Sequence, residues 1–447
     1  MFKTLKNAWK TPELQKKMLF TLFIVLLYRL GACIFVPYVT PDLANQFSTA
    51  FGSSVLGLMS IMSGGALEQA TLFALSVSPY ITASIVIQLL TIAIPALERM
   101  AKDGAEGQKK IAAITRIVTV ALALVTSFGY SMLLKNYGWL ERSDWFAMLV
   151  INAAFCSGAA LVMWLAELVN EKGIGNGISI ILFANIISRL PSMATSVWNG
   201  VIMTGYVDSK VWSVVIGVAI ALVIAAIIVA TVGFVVWVTN SERRIPINYA
   251  KRVVGRKMYG GQNTNLPIKL NMTGVMPIIF ASSIVSIPAT IAAFVNEDSG
   301  FAKFVNNFFA PTTWLYLVLY LILIVAFSYF YVLISFNPVE VSNNIAANGG
   351  SVRGIRPGYP TVQYIQKILK RVTLIGAFFL CIVAGLPMLV TVVTTALQNL
   401  KLSVSLPDLS VLTFGGSSLL IVVGVALETV RDLEAQISLR QSKGFLN

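Results

Sequence analysis

The chain has 447 residues, of which 57% are hydrophobic and 12% charged, with a mean hydropathy of +0.79. These values exclude a soluble globular domain and describe a polytopic membrane protein whose helices are solvated by lipid. Histidine is absent, which removes histidine-based acid–base chemistry and the usual catalytic triads; the net charge of +14 leaves a nucleic-acid partner open until the charges are placed.

From the N-terminus, Met1 to Lys17 is basic and amphipathic, and the first apolar run carries no small-residue cleavage site, so no removable signal is expected. About ten runs are long enough to cross a bilayer, which takes about 20 apolar residues. They lie at Met18–Pro37, Leu72–Ile94, Ile117–Leu134, Trp145–Glu167, Ile178–Val197, Val211–Val238, Met272–Phe294, Trp314–Phe336, Val372–Leu397 and Val411–Val430. Trp145, Trp237 and Trp314 mark run ends, as interfacial aromatics do. Between the first two runs, Leu56–Leu67 is apolar, carries Gly57, Gly64 and Gly65, and is too short to cross. Such a glycine-hinged piece reads as re-entrant or pore-lining, since broken backbone in a membrane is tolerated only against protein or water. Cys33, Cys156 and Cys381 sit inside apolar runs without CxxC spacing, so neither a disulfide frame nor a zinc site is expected. There is no phosphate-binding GxxxxGK[ST] loop. Gly173-Ile-Gly-Asn-Gly177 follows a helix rather than a strand and reads as a tight interhelical turn. No cofactor is expected.

The basic residues set the orientation. Five precede the first run, five follow the second, one follows the fourth, seven follow the sixth, five follow the eighth and three lie in the tail. The positive-inside rule therefore puts both termini in the cytoplasm and accounts for most of the net charge without nucleic acid. Five runs precede the loop near Val207 and five follow, so residues 1–205 and 206–447 are expected to be two halves of opposite sense. The second run of each half contains proline, Pro79 in one and Pro277 and Pro288 in the other, and is expected to be broken there. Matched interruptions in inverted halves point to a central pathway between them.

Few charges line that pathway. Val77, Ile81, Ser84 and Gln88 in the second run and Ile279, Ser282 and Ser283 in the seventh are aliphatic or carry small polar groups. Aliphatic constrictions gate by dewetting and bind no particular solute; ordinary helix packing in lipid uses the same residues. The cytoplasmic loops Thr239–Leu270 and Asn337–Lys370 are longer than a connection requires. Ile245-Pro-Ile-Asn-Tyr-Ala250 and the residues from Val253 read as short strands around basic turns. In Gly354-Ile-Arg-Pro-Gly358, Pro357 pushes Arg356 toward an extended conformation and places its guanidinium at a loop tip. Such tips suit acidic protein surfaces or RNA phosphates.

Several of these stretches resemble bacterial SecY, the central subunit of the Sec protein-conducting channel. They are Met62-Ser-Gly-Gly-Ala-Leu67 with Phe73–Leu90, Glu171–Ile180, Arg243–Arg252, Asn271–Pro277 with Phe280–Ser283, Gly354–Gly358 and Phe414–Ile421. The match runs in family order over nearly the whole chain. It implies an all-α polytopic protein with ten transmembrane helices in two inverted five-helix halves. A short re-entrant plug, about residues 56–67, is implied to close the resting pore, carrying Gly57, Met59, Ile61, Met62, Ser63, Gly64, Gly65 and Leu67. The family's aliphatic pore ring corresponds to Val77, Ile81, Ile178, Leu182, Ile279 and Ile421, with Val77 and Leu182 departing from the usual isoleucine. Spans two, three, seven and eight imply a lateral gate, with Ser84, Gln88, Ser282 and Ser283 on it. Arg243, Arg244, Lys251, Arg252, Arg353 and Arg356 match a docking surface for the SecA ATPase and the ribosome. The resemblance further implies SecE and SecG as companion subunits, secretory and membrane proteins as substrates, surrounding membrane lipids, and a place in the bacterial plasma membrane.

A secondary transporter of small solutes is the alternative, motivated by inverted halves and broken helices; the near absence of midplane acids weighs against it. Arg29, inside the first run, suits a packing or helix-end role at least as well as transport. An intramembrane enzyme lacks both histidine and a nucleophile motif.

Overall fold

The computed structural model describes residues 8–9, 11–40, 43–51, 55–197, 210–249, 252–254, 257–259, 263–294, 299–309, 313–399 and 410–444. The boundary between the expected halves, the extreme termini and Lys251 lie outside them. Each of the ten apolar runs is occupied by a helix. These are α1 (Pro12–Gly31), α2 (Ser78–Ala93), α3 (Gly104–Asn136), α4 (Trp145–Lys172), α5 (Gly177–Val197), α6 (Lys210–Asn240), α7 (Met276–Phe294), α8 (Trp314–Ser335), α9 (Tyr359–Asn399) and α10 (Ser410–Gly444). Among the described residues, α3, α4, α6, α8 and α9 are long and apolar enough to cross a membrane unaided. A sixth crossing would join α2 to the short helix Pro95–Lys102, but the two meet at 101°. Large apolar side chains point outward, Leu222, Val229 and Trp237 on α6 among them. That would be costly in water and is what a lipid-facing surface requires.

Three expectations need correction. The first helix runs from Pro12 to Gly31 rather than from Met18 to Pro37. Pro12 occupies its first turn, where a missing N–H costs nothing. Past Gly31 the chain becomes extended, and Val36 donates to the Ala70 carbonyl while Leu72 donates to that of Ile34. Second, Pro79 does not break a spanning helix. Residues 63–77 are turns, and α2 begins at Ser78 with Pro79 in its first turn. Pro277 likewise sits in the first turn of α7, which begins at Met276; Pro288 alone is internal. Proline starts these helices because it is pre-set for the first turn. Third, Gly57 is no hinge, since it lies within the helix Val55–Met62. The hinge is Gly64 and Gly65, whose φ values of +70° and +87° L side chains rarely adopt.

The two long basic loops fold together. Strand β1 (Glu242–Tyr249), β2 (Arg252–Val254), β3 (Lys257–Tyr259) and β4 (Asn263–Lys269) come from the first loop, and β5 (Gly350–Val352) from the second. β1 is central, antiparallel to both β4 and β5, with Ile247 opposite Val352. Ile245 and Ile247 turn inward onto Ile268, Ile345, Ile365 and Leu369. The period-2 alternation puts Arg244 on the outer face, and Arg243, on the inward parity at the start of the strand, is exposed because it lies ahead of the buried residues.

The halves meet along two seams. α7 packs against α2 and α3, and α10 packs against α5. One continuous apolar core links both seams.

Candidate functional site

α2 and α7 pack against each other, and residues of both first turns, Pro79 and Ile278 among them, line one cavity. Val77, Ile81, Leu182, Ile279 and Ile421, drawn from both halves, are each 3% exposed or less and belong to one contiguous apolar cluster. Ile178 packs against that cluster and is half-buried. Apolar side chains of this kind offer an ion nothing in place of its hydration shell.

Beside the cluster is a cavity of about 320 Å³. Its wall combines Ile81 of α2, Ile278, Ser282 and Ser283 of α7 and Ile421 of α10 with Leu56, Met59 and Met62 of the short helix Val55–Met62. That helix therefore covers the seam between the halves. The serines do not tie it shut: Ser282 and Ser283 both donate to the Ile279 carbonyl of their own helix. Gln88 donates to Ser84 one turn earlier in α2, and neither is on the cavity wall. Among the described residues these four side chains thus bond within their own helices, so separating α2 from α7 breaks apolar contacts and spares these hydrogen bonds. Side chains within the helix Val55–Met62 are described except those of Val55, Leu58 and Ile61.

The stretch after this helix is held by polar groups that sequence reasoning missed. Asn185 of α5 is fully buried. Its Nδ2 donates to the Met62 carbonyl at 2.9 Å and to Ser76 Oγ at 3.1 Å. Its Oδ1 accepts from Arg29 Nη1 at 3.5 Å. Tyr28 and Ser76 share a further hydrogen bond of 3.1 Å. One turn along α5, Arg189 pairs with Glu68, and Tyr130 of α3 donates to the Leu67 carbonyl. Arg29 thus bonds to Asn185 and its guanidinium lies beside Gly64 of the covering segment, which bears on the packing role considered for it. The sequence signals were Arg29 inside the first apolar run and an Asn and an Arg inside the fifth.

The basic tips stand apart from this site. Arg353 and Arg356 are exposed in the turn after β5. Arg244 pairs with Glu242 at 2.7 Å, on an exposed strand face. Of Arg252 only the backbone, in β2, is described.

The SecY family model matches residues 71–430. The chain belongs to the SecY family. Among its relatives, the protein translocase subunit SecY of Streptomyces scabiei is 40% identical over the full length of both chains. Among solved structures, a protein-conducting channel superposes with a TM-score of 0.62 at 17% identity, covering 94% of this chain and 92% of that one. Sec61 in the canine ribosome–channel complex from the endoplasmic reticulum superposes at 0.59 and 17% identity, with the same coverage. At such identities the structures speak for the fold, a polytopic helical channel fold with which the ten helices described above are consistent. The family sets the solute-transporter and enzyme readings aside: this is a multi-pass membrane channel subunit and not an enzyme.

Proposed function

We propose that this protein is a protein-conducting channel whose closed state is the arrangement described above. Unfolded secretory polypeptides cross between the halves at Val77, Ile81, Ile178, Leu182, Ile279 and Ile421, and membrane segments leave sideways between α2–α3 and α7–α8. The observation that carries this reading is the convergence of five aliphatic side chains from both halves on one buried cluster where two half-helices begin. A channel for many sequences cannot offer one polar site, and an aliphatic collar can close around any extended chain. The helix Val55–Met62 and the turn after it act as the plug.

The exposed arginines on the joined cytoplasmic sheet and turn are the docking surface. The SecA ATPase and the ribosome are its partners, with SecE and SecG as companion subunits in the bacterial plasma membrane and both termini cytoplasmic. Support comes from the charge distribution along the chain and from the ribosome-bound relative Sec61.

Crosslinking tests the pathway. A secretory chain stalled in transit should crosslink to cysteines at Ile81→Cys and Ile279→Cys, and should not crosslink to one at the outward-facing Leu222→Cys. Equal crosslinking at all three would remove the central pathway.

A further inference from the structure

The segment that follows the plug helix is fastened by polar contacts to the N-terminal half of the molecule. The plug helix touches α7 and α10 of the C-terminal half as well as α5, and the wall it shares with α7 is mostly aliphatic, with Ser282, Ser283 and Ser286 donating to carbonyls of their own helix. The described hydrogen bonds from other helices to the end of that helix and to residues 63–77 come from Tyr28 of α1, Tyr130 of α3 and Asn185 and Arg189 of α5, all in the N-terminal half. Three features show that the fit is built for polar contact. Gly64 has φ +70°, which L side chains rarely adopt, and a Cβ there would crowd Arg29 Nη1 at 2.8 Å and Asn185 Oδ1 and Ser188 Oγ at 3.0 Å, so glycine suits this close approach. Ser76, with φ +48°, is held in a left-handed conformation that L residues avoid, and its hydroxyl there meets both Asn185 and Tyr28. Glu68 and Arg189 are each less than a fifth exposed, so their charges have a partner but little water.

We infer that Asn185, with Arg29 and the Glu68–Arg189 pair, forms a latch that sets how readily the plug leaves the seam. This rests on reading the segment as the plug and assigns the side chains that position it. The apolar half of the contact parts when the halves separate. The latch must be broken within the N-terminal half, and it sets a threshold that the aliphatic collar does not. Asn185 suits this role because a buried amide that loses its partners is left unsatisfied, which makes closure all-or-none.

Two readouts separate the latch from the plug reading. In the full-length chain carrying Ala66→Cys, with Cys33, Cys156 and Cys381 replaced by alanine, labelling by a water-soluble maleimide reports release of a position that is buried at rest. Asn185→Ala should raise the labelling rate about tenfold, the factor expected for losing one or two buried hydrogen bonds. Glu68→Gln should raise it less, and the swapped pair Glu68→Arg with Arg189→Glu should restore slow labelling. If Asn185→Ala yields no folded protein, the Glu68 variants carry the test. Labelling unchanged in Asn185→Ala and Glu68→Gln, or in Glu68→Gln where Asn185→Ala does not fold, overturns the latch. Resting ion conductance of the same variants in planar bilayers should rise in the same order. Faster labelling with unchanged conductance would uphold the latch and overturn the reading of this segment as a seal.

Discussion

α2 and α7 both start on a proline turn beside the aliphatic cluster, yet the chain reaches them by different routes. Residues 63–77 lead into α2 through four left-handed residues, Gly64, Gly65, Ala70 and Ser76, and through the buried contacts of Asn185. α7 is entered directly from the β4–β1–β5 sheet: Leu270 donates to the Ser241 carbonyl at 2.9 Å, and Gly274 is the single left-handed residue between Leu270 and Met276. One half-helix is therefore tied to the plug and the other to the surface that carries the basic tips. A partner bearing on the sheet would act first on α7, while the latch holds the approach to α2.

Each approach also packs on a glycine of a neighbouring helix, and these two glycines give the largest test of the difference. A Cβ at Gly158 of α4 would lie 1.9 Å from the Leu72 carbonyl oxygen and 2.9 Å from its carbon. Main chain pinned by hydrogen bonds cannot retreat that far, so Gly158→Ala should cost about 3 kcal/mol or more. The expected outcome is little folded protein, measured as monodisperse yield and detergent melting temperature. Normal yield would mean that the route into α2 is not rigid.

The collar itself comes next. Ile81→Asn with Ile279→Asn puts an amide on each side of the cluster, and resting ion conductance in planar bilayers should rise severalfold as dewetting fails. Because one substitution lies in each half, the single variants ask whether the sides contribute equally. Conductance that responds only to Ile81→Asn would assign the seal to the latched side.

At the far end of the other route, Arg356→Glu should slow partner-driven export by about tenfold or more, since it reverses charge where encounter is steered. The fold should survive. The Arg356 side chain is exposed, and its carbonyl still accepts from Thr361 Oγ1 at 2.9 Å. Unimpaired export by a well-folded variant would remove the docking role.

The sequence spoke clearly where lipid or charge imposed a rule. All ten helices fall on apolar runs because a bilayer leaves no other way to satisfy the backbone. β1 and the strands after it were legible from Ile245-Pro-Ile-Asn-Tyr249 and the residues from Val253. Other features were hidden for physical reasons. Leu72-Phe73-Ala74-Leu75 is apolar because it is a buried turn, yet it reads as the start of a helix, and so Pro79 looked like a break. Aliphatic residues fill every span, so Val77 or Leu182 stands out only through family resemblance. The latch joins Glu68 to Arg189, 121 positions apart, and the sheet joins the loop before α7 to the loop after α8. No local pattern announces either.

The smallest effect sharpens the comparison most. A Cβ at Gly424 of α10 would lie 2.4 Å from Val275 Cγ1 and no closer than 3.8 Å to any other Val275 atom. The obstacle is a methyl group, which a rotamer change can move, whereas at Gly158 it is a carbonyl. Gly424→Ala should therefore cost only about 1–2 kcal/mol and fold to near-normal yield. Its consequence should be functional, because Val275 immediately precedes α7 and its displacement shifts the first turn that carries Ile278 and Ile279. The expected result is a modest fall in melting temperature with a measurable rise in resting conductance. If Gly424→Ala proves as damaging as Gly158→Ala, the route into α7 is as rigid as the route into α2, and the assignment of a fixed and a yielding side to this channel fails.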